Sequence, residues 1–192
     1  MSLLYPQLEW KRLPLLAGLT LLGALVAGLY GAVHDQVTYS LGPEYFTKLK
    51  FSQFHWADGG FPPRVFVSEI GFLASWWVGL IAGWLVARLA IQADTGKQAC
   101  RRALAAYAII FGCAVLTAGG AFAWSLIQRE HLSDPAWTDI ARQLNLTDLP
   151  GFYSVWCIHL GSYLGSGGGT LLALIYLWRT KAAARSAQAL VD

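Results

Sequence analysis

Residues 13–33 read LPLLAGLTLLGALVAGLYGAV, without one charged side chain. A helix needs roughly 20 apolar residues to cross about 30 Å of hydrocarbon. The block therefore has the length of one bilayer crossing. It is longer than the apolar core of a cleaved secretory signal, about 7–15 residues, and no A-x-A-type cleavage site follows it, so it reads as an uncleaved anchor. Three further apolar blocks repeat the pattern, at about 65–91, 103–127 and 152–178. No water is present in the bilayer core to satisfy backbone N–H and C=O groups, so each block must close its own hydrogen bonds as a helix. The expected fold is all-α: a four-helix transmembrane bundle, forming one domain over residues 1–192.

Composition points the same way. Hydrophobic residues make up 56% of the chain and charged residues 13%, against about 25% charged in soluble domains. The basic residues flank the apolar blocks and form no stripe of their own, which speaks against nucleic-acid binding. Cys100, Cys113 and Cys157 show no C-x-x-C spacing and avoid the polar loops. They read as small hydrophobes rather than as a disulfide framework or a redox pair.

The distribution of positive charge sets the orientation. Lys11, Arg12, Arg88, Lys97, Arg101, Arg102, Arg179, Lys181 and Arg185 fall on one side of the spans. Lys48, Lys50, Arg64, Arg129 and Arg142 fall on the other. The richer side is cytoplasmic by the positive-inside rule, so both termini are expected inside. This leaves the two long loops, 34–64 and 128–151, on the outer face. Each has the composition for a short interfacial helix. In the first, Pro43 and Glu44 suit a first helical turn. A helix from about Pro43 to Phe54 would carry Tyr45, Phe46, Leu49, Phe51 and Phe54, with Lys48 and Lys50 snorkelling outward. In the second, Asp134-Pro135 reads as N-cap and first position of a helix from about Pro135 to Leu144. Asp58-Gly59-Gly60-Phe61-Pro62-Pro63 breaks the chain before the second span. Asn145-Leu146-Thr147 matches a glycosylation sequon, a pattern common by chance.

Ionisable residues inside spans are costly and need a reason. Glu69 lies just over one turn into the second span and His159 about two turns into the fourth, while His34 and Asp35 close the first. All sit toward the outer side, as do His55 and His131. On the fourth span, His159, Ser162, Tyr163 and Ser166 share one helix face. A polar pocket built from His34, Asp35, Glu69 and His159 is expected at the outer end, with Tyr39, Glu44, Trp76, Ser162 and Tyr163 around it. Two readings stay open. One is a ligand, proton or metal site, since histidine with carboxylate suits a transition metal. The other is a hydrogen-bonded cluster that pins the first outer loop. No H-x-x-x-H, E-x-x-H or H-E-x-x-H motif supports metal, and haem rests only on two histidines in different spans. No cofactor is expected ahead of either.

Gly79 and Gly83 in the second span, and Gly161, Gly165 and Gly169 in the fourth, form G-x-x-x-G units that allow close helix approach. They serve bundle packing, a homodimer or a partner membrane protein, and the sequence leaves the three open. The run Gly165-Ser166-Gly167-Gly168-Gly169 also has the look of a loosened helix. Trp76 and Trp77 lie too deep for an interfacial belt. They either pack in the core or line a lipid or quinone groove.

Three segments carry a resemblance. Residues 34–54, H-D-Q-V-T-Y-S-L-G-P-E-Y-F-T-K-L-K-F-S-Q-F, resemble a signature of small, uncharacterised bacterial four-span membrane proteins. Ser75-Trp76-Trp77-Val78-Gly79-Leu80 is similar to their second-span motif, and His159-Leu160-Gly161-Ser162-Tyr163-Leu164-Gly165 to their last-span motif. Together they cover about a fifth of the chain. The resemblance implies a multi-pass protein of the bacterial cytoplasmic membrane and no particular activity. The leading functional expectation is a non-enzymatic binding or accessory module with a polar site at its outer, periplasmic end. The alternatives are a metal- or haem-dependent membrane oxidoreductase using His34, Glu69 and His159, and a small transporter.

Overall fold

A helix ends where a breaker or a cap stops it, not where apolarity stops. The first helix shows this. In the computed structural model, which describes residues 10–93 and 95–188 (side chains excepted at 131 and 181–188), α1 (Leu13–Leu41) continues two turns beyond Val33. Its polar end bonds to itself: Thr38 Oγ1 donates to the His34 carbonyl at 3.1 Å and Ser40 Oγ to that of Gln36 at 3.0 Å. Gly42 and Pro43 then end it. The first long connection thus begins at Gly42, and His34 to Leu41, expected as loop, is helix. The side chains of His131, Lys181 and Arg185 lie outside the described set.

The other spans are α4 (Pro63–Ala90), α5 (Gly96–Ile127) and α7 (Leu149–Gln188). All four helices are long and apolar enough to cross a membrane. The chain is a multi-pass integral membrane protein and an all-α four-helix bundle. Residues 96–102, expected in the inner loop, form the first turns of α5. Thr95 starts that helix, its hydroxyl accepting from Gln98 N–H at 3.2 Å as an N-cap does. The first long connection holds α2 (Pro43–Tyr45), a π-turn at Phe46–Lys50 and α3 (Phe51–Gln53), so the expected helix forms with a widened middle. The second holds α6 (Pro135–Leu144), as read from the sequence. Asp134 occupies its N-cap position but makes no cap hydrogen bond with its side chain. Asn145 closes it in the left-handed region, φ 50°.

The bundle is two tightly joined helix pairs. In the first pair α1 meets α4 through glycine. A Cβ on Gly23 would lie 2.8 Å from the Gly83 Cα, and one on Gly71 would meet the Gly31 backbone. In the second, α5 meets α7. A Cβ on Gly161 would lie 2.7 Å from the Thr117 carbonyl, on Gly165 2.6 Å from that of Cys113, and on Gly169 2.9 Å from the Ile110 Cα. The glycine faces at Gly79, Gly83, Gly161, Gly165 and Gly169 are therefore filled from within the chain, and a partner copy would need another surface. The glycine run does not loosen the last span: α7 is a continuous helix through it.

The two pairs join each other at their ends. At the end holding both described termini, Leu19, Val86, Ala103, Tyr107 and Leu177 form one core cluster. Tyr107 Oη donates to the Leu19 carbonyl at 2.6 Å. The basic residues here do more than set topology. Arg12 Nη1 donates to the Ile91 and Ala93 carbonyls, both at 2.6 Å, beyond the last turn of α4. Arg88 is buried with its guanidinium 4.5 Å from the Trp84 ring centre. At the opposite end, Tyr45 and Phe46 of the first connection pack with Val67, Phe152 and Val155. This cap covers the bundle.

Candidate functional site

Tyr30, His34 and Thr38 follow each other at four-residue spacing, so they form one stripe along α1. Asp35 lies beside it. Facing them on α7 are His159, Ser162, Tyr163 and Ser166. The packing of the pairs brings the two stripes together under the cap. Tyr30 Oη lies 2.8 Å from Ser162 Oγ and 3.3 Å from His34 Nδ1. Thr38 Oγ1 lies 3.4 Å from His159 Nε2, and Asp35 Oδ1 lies 3.7 Å from the same nitrogen. The His34 ring meets that of His159 edge to face, with centroids 4.9 Å apart. Tyr45 of the cap stacks on the other side of His159 at 4.8 Å. Asp35, Thr38, His159 and Ser162 are all buried. His34 Nε2 is buried without a hydrogen-bond partner.

Beneath this cluster the two helix pairs stand apart and leave a cavity of about 470 Å³. That size is in the range of small-molecule sites, about 300–1,000 Å³. Its walls include Ala27, Ala74, Trp77, Phe111 and Ala114. Ser166 and Thr170 also line it, but their hydroxyls turn to the carbonyls of Ser162 and Ser166. Tyr107 is likewise engaged by Leu19. The cavity is thus largely apolar, with the Ser75 hydroxyl beside Gly31 on one wall, and polar where His34, Asp35, His159, Ser162 and Tyr163 meet. Trp77, Phe111 and Tyr163 are 51%, 49% and 50% exposed, so it opens on the flank of the bundle.

The structure brings together five expected site residues: His34, Asp35, His159, Ser162 and Tyr163. Four others lie elsewhere. Glu69 belongs neither to the His34–Asp35–His159 group nor to the cavity wall. It sits two positions before Gly71, hence roughly 200° round α4 from the face that meets α1. Trp76 lies on that far side with it, and its neighbour Trp77 lines the cavity instead. Tyr39 packs edge to face on Phe46 at 5.5 Å, under the Arg64 guanidinium at 5.2 Å. Glu44 is a latch between the two long connections, α1 to α4 and α5 to α7. Its carboxylate accepts from Thr147 Oγ1 at 2.6 Å, Thr147 N–H at 2.9 Å and Asp148 N–H at 2.8 Å. These bonds, the Thr147 hydroxyl first, hold the Glu44 carboxyl below its ordinary pKa. Tyr30 was not anticipated, although its position one turn before His34 offered a signal.

Lys48 is exposed, and Lys50, expected to reach outward with it, is not. It is half-buried, with its ammonium 5.8 Å from the Tyr45 and Phe54 ring centres. Burial lowers its pKa and the Asp35 charge opposes that shift. Burial likewise raises the Tyr45 phenol, so it remains a neutral lid over His159. Two imidazoles in edge contact leave no slot for a macrocycle, so a haem between His34 and His159 does not fit.

Fold and site together define a multi-pass membrane protein with an interhelical cavity, polar at one end. No protein-family model, curated protein or solved structure matches the chain.

Proposed function

We propose that the protein is a non-enzymatic binding module of the bacterial cytoplasmic membrane that holds a lipid-soluble amphiphile. The apolar body of the ligand lies in the cavity between the helix pairs. Its compact head group, such as the carbonyl or hydroxyl of a quinone-type ring, hydrogen-bonds at His34, His159, Ser162 and Tyr163. The positive-inside distribution of Lys and Arg supports a periplasmic position for this end. The observation that carries the reading is the one-ended polarity of the cavity: a lipid-soluble ligand with a head group matches it, and a wholly polar solute does not.

The test uses full-length protein in mild detergent, extracted with organic solvent and analysed by mass spectrometry. One amphiphile species at about one per chain is expected. Ala74→Phe, which fills the cavity from its wall, should keep the fold and lose that species. Recovery of the same mixed lipids from both proteins would refute the reading.

A further inference from the structure

Packing leaves the His34–Asp35–His159 cluster incompletely bonded, although His159 Nε2 lies 3.4 Å from Thr38 Oγ1. His34 Nε2 is buried with no partner. Asp35 is 4% exposed inside a span, and its one ion-pair partner among the described residues is His159 Nε2 at 3.7 Å. That distance is too long for a hydrogen bond. A cluster serving only to anchor the cap would bring a donor to Asp35 at about 3 Å. Lys50 feels the Asp35 charge, but its ammonium stays over the Tyr45 and Phe54 rings. A buried polar atom without a partner calls for a specific cause, and a bound cation is one.

We propose that His34, Asp35 and His159 bind a divalent transition-metal ion of the zinc type. Their ligand atoms all lie within 4.8 Å of one another. Zinc holds nitrogen and oxygen ligands at about 2.0–2.2 Å, which puts neighbouring ligands about 3.4 Å apart. Side-chain rotations of about an ångström close the set on an ion. Two imidazoles and one carboxylate are a donor set suited to zinc and its neighbours, and hard oxygen-seeking cations are disfavoured by the nitrogens. The two Nε2 atoms ligate. His34 Nδ1 then keeps its proton and donates to Tyr30 Oη, which is in turn held by Ser162. Such an outer partner fixes the orientation of a ligating imidazole. Three protein ligands leave one coordination position open, and all three residues line the cavity. Ion and head group share His34 and His159: with the ion bound their Nε2 atoms are taken, and a head group is left with Ser162 and Tyr163. The ion needs no amphiphile, so the two readings fail separately.

The experiment uses untagged full-length protein in mild detergent, stripped with a chelator and titrated with Zn²⁺ or Co²⁺. One Zn²⁺ per chain and visible Co²⁺ d–d absorption are expected. Outer-shell changes at metal sites cost about 10–100-fold in affinity, so Tyr30→Phe should weaken binding about tenfold, and His34→Gln, Asp35→Asn and His159→Gln each by about 100-fold or more. Glu69→Gln and a His55→Ala/His131→Ala double variant should bind as the parent does. Thermal unfolding without metal shows which variants fold. If His159→Gln does not, the near-isosteric Asp35→Asn carries the test. Absence of stoichiometric uptake would overturn the site. So would uptake that survives the three ligand substitutions or follows Glu69, His55 or His131.

Discussion

Within each helix pair, backbones meet directly at glycine; between the pairs, they stand apart around a cavity. The contrast follows from the solvent. Lipid tails are as apolar as leucine, so helices in a bilayer gain little by hiding apolar side chains from them. Association depends on close approach, and glycine allows it. Gly31 against Gly71 and Gly161 against Thr117 supply that approach within the pairs. Across the gap, the walls of the two pairs do not touch, so the dispersion attraction between them is forgone. The bundle carries that cost where the polar residues of α1 and α7 also converge, which is what a binding site demands.

The sharpest way to break the contrast is to put a side chain into a pair. Gly71→Val would push a branched side chain into the Gly31 backbone, which cannot yield. Overpacking of well-filled sites costs about 1–3 kcal/mol and more where backbone must move, so a loss of about 3 kcal/mol or outright misfolding is expected in detergent unfolding. Removing a tie between the pairs should cost less. Tyr107→Phe loses the bond to the Leu19 carbonyl, and about 1 kcal/mol is expected in the same assay.

The cap predicts a pH effect smaller still. The Glu44 carboxyl is held below its ordinary value of 4.5 by the Thr147 and Asp148 donors. Its contribution is therefore present above 4.5 and lost as pH falls through the lower folded pKa. Protection factors at the Thr147 and Asp148 amides, taken against intrinsic exchange at each pH, should fall on acidification in that range, and Glu44→Gln should remove the dependence. The smallest effect is expected at Gly168, where an added Cβ would meet nothing within 4 Å. Gly→Ala gains about 0.5–1 kcal/mol in aqueous helices. A span stays helical in either state, so Gly168→Ala should give at most about 0.5 kcal/mol of stabilisation.

The number of spans was legible because four long apolar blocks admit only one state in lipid. Their ends were not, because Gly42-Pro43 and the Thr95 cap end or start helices whatever the hydropathy. His34, Asp35 and His159 were conspicuous as ionisable residues within or closing spans. Glu69 was equally conspicuous, but hydropathy gives depth and not azimuth. Gly71 held the missing information, since it marks the face of α4 that meets α1. Trp76 and Trp77 differ by the same rotation. Arg12 read as a topology signal because its bonds to the Ile91 and Ala93 carbonyls join residues far apart in the chain.

The most direct test of the cavity as a binding site is native mass spectrometry of the full-length protein beside Ala74→Phe, both released gently from the same membranes. The wild type should carry one amphiphile of defined mass that the variant lacks, with both proteins folded. Equal adducts on the two, or none on either, would contradict the account.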